Sequence, residues 1–150
     1  MSSGKGHILG GLVFAWIFLA VLSNFFFVPT ATELVMFVGI AVMFSLWPDV
    51  DIKSIGQKVF YTIFFITDAI LVFYFQDFMA AAYFGLLIIL PVLAKHRGWT
   101  HSKITAVILP APLVLIPMYT HGGTLASGLP FYFAAVAGYF SHLFFDKKLI

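Results

Sequence analysis

Cysteine is absent from the 150 residues, which excludes disulfides and thiolate metal ligands. Charge is almost as scarce. Eight Lys and Arg and six Asp and Glu make up 9% of the chain, where a soluble domain carries about 25%. So few charges cannot cover a core drawn from a chain that is 62% hydrophobic and holds 19 Phe. A soluble globular monomer is thereby excluded. So are a disordered chain, which needs low hydrophobicity, and a nucleic-acid binder, which needs a dense basic face. Repeats and low-complexity linkers are also lacking. The composition implies one membrane-embedded helical domain over 1–150.

What is present is a series of apolar runs, each near the roughly 20 residues that a membrane-crossing helix requires. They lie at 8–28, 34–47, 59–75, 78–94, 104–119 and 129–145. Pro29 ends the first, which is too long for a signal-peptide core and lacks a small-x-small cleavage site, so it reads as a retained helix. The second is short and is expected to begin near Thr32. The fifth carries Pro110, Pro112 and Pro117 and is expected to be kinked or broken. Six crossings put Lys5, Lys53, Lys58, Lys95, Arg97, Lys103, Lys147 and Lys148, all eight basic residues, on one side. The positive-inside rule makes that side, with both termini, cytoplasmic. The opposite loops carry Glu33, Gln76, Asp77 and His121.

On this map the metal-type residues converge. His7, Asp49, Asp51, His96, His101, His142 and Asp146 come from four separated segments and fall at one interface. His142 and Asp146 are four apart and share a helix face. That face continues through Gly138 and Ala134 or Ala135, and the His7 face through Gly10, Gly11 and Ala15, small residues that let helices approach. An extended 48–51 segment is expected to point the Asp49 and Asp51 carboxylates the same way, a costly pairing without a cation. Gly98 is expected to turn the 96–102 segment, with Thr100 as cap for the next helix. His and Asp without thiolates suit zinc, or else manganese or iron, and several carboxylates favour two ions over one. Arg97 suits a phosphate clamp, and Asp51 suits a general base if it is not a ligand. Asp68 lies too deep in the third run to join this group.

Three elements, Leu46-Trp47-Pro48-Asp49-Val50-Asp51, His96-Arg97-Gly98-Trp99-Thr100-His101-Ser102 and Ser141-His142-Leu143-Phe144-Phe145-Asp146, follow an early His7. In this order they resemble the LexA-regulated, membrane-bound metal-dependent hydrolase family of bacteria and archaea. A more distant likeness is to zinc-dependent phospholipase C. The resemblance implies a hydrolase of the bacterial or archaeal cell membrane. With the residue pattern it gives the leading expectation: a divalent metal at the cytoplasmic face and a membrane lipid or phosphate ester as substrate. The alternatives are a small ion transporter or channel, for which Asp68 and the proline-rich fifth run speak, and a non-catalytic membrane protein with a structural metal site.

Overall fold

Local capping chemistry decides where the helices begin. The computed structural model describes residues 4–25, 28–92, 98–120 and 124–146, and among these every regular element is helical. Helix α1 is Gly4–Phe25 and α2 is Ala31–Leu46, which runs into a 3-10 turn at Trp47–Asp51. Then come α3 (Ile55–Phe73), α4 (Phe78–Val92), a second 3-10 turn at Trp99–His101, α5 (Lys103–Ile108), α6 (Pro112–Thr120) and α7 (Leu125–Phe145). Helix α2 starts ahead of its apolar run because Thr30 and Glu33 form a capping box. The Glu33 amide donates to Thr30 Oγ1 at 3.3 Å, and the Thr30 amide donates to Glu33 Oε2 at 2.8 Å. Ser54 caps α3, accepting from the Gln57 amide at 3.0 Å while donating to the Asp49 carbonyl at 2.7 Å. That second bond ties the start of α3 to the turn at Asp49.

The fifth apolar run is broken, as its prolines imply. Residues 109–111 form turns between α5 and α6, because Pro110 and Pro112 have no N–H to donate to a helical ladder. The expected cap at Thr100 is displaced by two residues. Ser102 Oγ accepts from the Ile104 and Thr105 amides at 3.1 and 3.2 Å, and Thr100 lies inside the preceding 3-10 turn. Among the described residues four stretches are long and apolar enough to cross a membrane: Gly4–Phe25, Ala31–Asp51, Ile55–Phe73 and Leu125–Phe145. The other two expected crossings correspond to shorter pieces, α4 as described to Val92 and the α5–α6 pair. Large apolar side chains such as Trp16, Phe65 and Phe73 are 75%, 75% and 83% exposed, which only a lipid solvent tolerates in such numbers.

The packed centre is made by α1, α2 and α7. With no hydrophobic drive inside a bilayer, helices gain by close backbone approach at small residues. Gly138 of α7 receives the Ala41 carbonyl of α2 so closely that any Cβ would collide with it. A Cβ on Gly11 of α1 would lie 2.5 Å from Ser45 Oγ of α2, and one on Gly10 would lie 2.5 Å from the Phe145 ring of α7. The small face of α7 thus meets α2 at Gly138, while the small face of α1 meets α7 at Gly10 and α2 at Gly11. Phe37, Leu22 and Ala134 fill the same three-helix core further along. We expect Gly138→Leu to destabilise the fold by about 3 kcal/mol or more, the upper range for overpacking. Gly39→Leu, whose Cβ meets nothing within 4 Å, should stay within about 0.5 kcal/mol. Thermal unfolding of the two variants in detergent measures the difference.

Candidate metal centre

The ends of α1, α2 and α7 and the 3-10 turn before α5 meet at one end of the bundle. The 3-10 turn at Trp47–Asp51 explains the placement of Asp49. Pro48 sits at its start, Val50 anchors against Leu46 and Phe60, and Asp49 is turned inward and buried. The chain is not extended here, so Asp49 and Asp51 do not point the same way as expected. A 3-10 turn advances about 120° per residue, which separates the two carboxylates. Asp51 instead accepts from Thr100 Oγ1 at 3.4 Å.

His142 is fully buried, and its Nδ1 lies 2.8 Å from the Ser45 carbonyl. A carbonyl can only accept, so Nδ1 carries the proton and Nε2 presents a lone pair. That Nε2 is buried and has no hydrogen-bond partner among the described residues. It faces Asp49 Oδ1 at 3.6 Å and Asp146 Oδ2 at 3.8 Å. His101 Nε2 faces the same two oxygens at 3.6 and 4.0 Å. Its position is held from α7, where the buried Tyr139 hydroxyl donates to the Thr100 carbonyl. Its own Nδ1 contacts Thr100 Oγ1 at 3.3 Å. His7, 1% exposed, stacks its ring on that of His142 with centroids 3.8 Å apart, and its Nε2 lies 3.7 Å from Asp49 Oδ2 and 3.6 Å from Asp146 Oδ1.

One ligand atom from each of Asp49, His101, His142 and Asp146 lies within 4.8 Å of the others, so the group could hold a metal ion. The separations fit that use better than direct hydrogen bonding. Nitrogen–oxygen gaps of 3.6 to 4.0 Å exceed the roughly 2.7–3.2 Å of a hydrogen bond. A tetrahedron with ligand bonds of about 2.1 Å has edges of about 3.4 Å. The ion-pair partners of the Asp49 and Asp146 carboxylates among the described residues are the three histidines. A pair of buried carboxylates so placed is neutralised well by a cation and poorly by imidazoles alone.

Of the seven residues expected to gather, the structure brings His7, Asp49, His101, His142 and Asp146 together and sets Asp51 beside Thr100. His96 and Arg97 lie outside the described residues, as does His121. Ser45 and Tyr139 escaped the sequence reading. Ser45 precedes Asp49 by four and Tyr139 precedes His142 by three, so helical spacing marks both as neighbours. The contributions of Ser45 through its carbonyl and of Tyr139 to another backbone carbonyl carry no residue-type signal.

Apolar helices packed through small residues, with a buried His/Asp group at one end able to hold a metal ion, define an integral membrane protein with a candidate metal centre. The chain belongs to the YdjM inner membrane protein family, whose model matches residues 1–147. No curated protein and no solved structure matches it. Because Tyr139 positions the His101 turn, Tyr139→Phe should lower the affinity for a divalent cation by about 10–100-fold, as loss of a partner behind a metal ligand does. Calorimetric titration of zinc or manganese into the detergent-purified variant reads this directly.

Proposed function

We propose that this protein is a metal-dependent hydrolase of the cell membrane acting on a phosphate ester, with a membrane lipid as substrate. The single observation that carries the reading is the buried His142 Nε2, without a hydrogen-bond partner among the described residues, aimed at two carboxylates and joined by His101. The order of the motifs around His7, Asp49, His101 and Asp146, and the hydrolase family that they resemble, support it. In this reading one membrane-embedded domain crosses the bilayer six times. The eight basic residues share the centre's side, which is cytoplasmic.

His7, Asp49, His101, His142 and Asp146 would hold zinc, or manganese or iron in its place. A divalent cation bound there would supply an acidified water molecule and polarise a phosphoryl oxygen. The remaining work falls to side chains. Asp51, half-buried at the rim and oriented by Thr100, takes the proton from the attacking water. Arg97 binds the phosphate by charge-assisted hydrogen bonds and stabilises the charge that develops on it. The placement at the end of the helices presents the site to headgroups while acyl chains remain among the exposed apolar faces.

A second reading, an ion pathway, draws on Asp68, whose Oδ1 is buried within the α3 span without a hydrogen-bond partner among the described residues. Turnover of lipid phosphodiesters by the purified protein in vesicles separates the two. We expect zinc-dependent release of the cleaved headgroup, abolished by chelator and restored by metal. Arg97→Ala should cost about a hundredfold in kcat/KM, the scale of losing one charge-stabilising donor. Turnover that survives chelation, or ion flux lost in Asp68→Asn with no turnover at all, sinks the hydrolase reading.

A further inference from the structure

The five side chains at the centre are not arranged around a single point. An imidazole binds a metal along the lone pair of its nitrogen, which lies in the plane of the ring. The rings of His7 and His142 are stacked, with centroids 3.8 Å apart and planes inclined by only 16°. Both Nε2 atoms face the same pair of carboxylates. Their in-plane directions therefore run side by side, and the two planes converge only far beyond a bonding distance of about 2.1 Å. No one cation can sit in the plane of both rings.

The carboxylates divide in the same way. Asp49 turns Oδ1 to His101 and His142, each at 3.6 Å, and Oδ2 to His7 at 3.7 Å. Asp146 turns Oδ2 to His142 at 3.8 Å and His101 at 4.0 Å, and Oδ1 to His7 at 3.6 Å. Each carboxylate hands one oxygen to the His101–His142 pair and the other to His7. Five residues thus form two ligand sets that share both acids.

We propose that the centre binds two divalent cations bridged by Asp49 and Asp146, a deepening that rests on the metal-centre reading above. The first position takes His101 Nε2, His142 Nε2, Asp49 Oδ1 and Asp146 Oδ2. Four nitrogen and oxygen ligands complete a tetrahedral sphere, the pattern of a structural ion. The second takes His7 Nε2, Asp49 Oδ2 and Asp146 Oδ1. Three protein ligands from the described residues leave a coordination position for an oxygen of water or of an anionic substrate. The 3.8 Å between the rings matches the roughly 3.5–4 Å between ions in two-metal sites that act on phosphate esters. Two divalent ions against two carboxylates leave a net positive charge, which selects a phosphate oxygen over a neutral group.

The test is the metal content of the full-length protein, purified in detergent, loaded with manganese and freed of excess ion. Two manganese per chain are expected, with the exchange-coupled paramagnetic resonance spectrum of a close pair. His7→Ala should hold one manganese with the spectrum of an isolated ion, because the first ligand set is intact. His7→Gln repeats the measurement with a side chain that fills the space of the ring. One manganese per chain in the unaltered protein, with no coupling, overturns the two-ion proposal and leaves the single-ion reading standing. No bound manganese or zinc overturns both. The count and spectrum of the unaltered protein decide the question even where a His7 variant fails to fold.

Discussion

Asp49 and Asp146 arrive at one pocket from different helices, and their mutual repulsion is the constraint around which the rest is arranged. In water such a pair would separate. Here the side chains are only 12% and 3% exposed, and burial strengthens the repulsion as it removes the solvent that would screen it. The three imidazoles relieve part of it, but an imidazole whose Nδ1 proton is committed elsewhere offers a second acceptor, not a donor. His142 is in this state because the Ser45 carbonyl takes its proton. His142 Nε2 thus brings a lone pair, not a proton, to two carboxylates, an arrangement that a cation stabilises.

Holding five polar side chains in that state requires rigid backbones, and small residues provide them. Gly138 against Ala41, and Gly11 against Ser45, lock α2 between α1 and α7 directly beneath the centre. The same contacts set the register that lets the Ser45 carbonyl reach His142. Helices α3 and α4 share little of this burial. Only 11% of the best apolar window of α3 is buried inside the protein, against 44% for α7. The division is functional in character. Three helices fix the candidate ligands, while α3 contributes through its first turn, where Ser54 and the Asp49 carbonyl join it to the 3-10 turn.

Much of this was legible in the residues because the membrane makes polar groups rare. When only six acids and five histidines occur in 150 residues, their gathering at one end of the apolar runs carries information that a soluble protein would bury in noise. His142 and Asp146 were readable from helical spacing, and the break at Pro110 and Pro112 from their missing amides. Other features were less so. The 48–51 segment could satisfy its proline either extended or in a 3-10 turn, and burial of Val50 decided for the turn, moving Asp51 off the face of Asp49. Thr100 was the expected cap, but its carbonyl is engaged by Tyr139 and the cap falls to Ser102. The roles of the Ser45 carbonyl and the Thr100 carbonyl were invisible, because every residue has one.

The geometry also gives the centre a direction. Asp146 and the ligand face of His142 are sealed beneath α1 and α2, while Asp49 retains some exposure and Asp51 and Trp99 stand further out along the two 3-10 turns. Polarity therefore rises from the α7 side toward the turns. On the proposed reading this gradient orders the chemistry: the most deeply buried ligands fix the ion, and the more exposed acid exchanges protons with solvent. The separation of Asp49 from Asp51, which the extended reading of the segment missed, gives the two acids of this short motif different surroundings, Asp49 among the histidines and Asp51 beside Thr100, and on the proposed reading it divides cation binding from proton transfer between them.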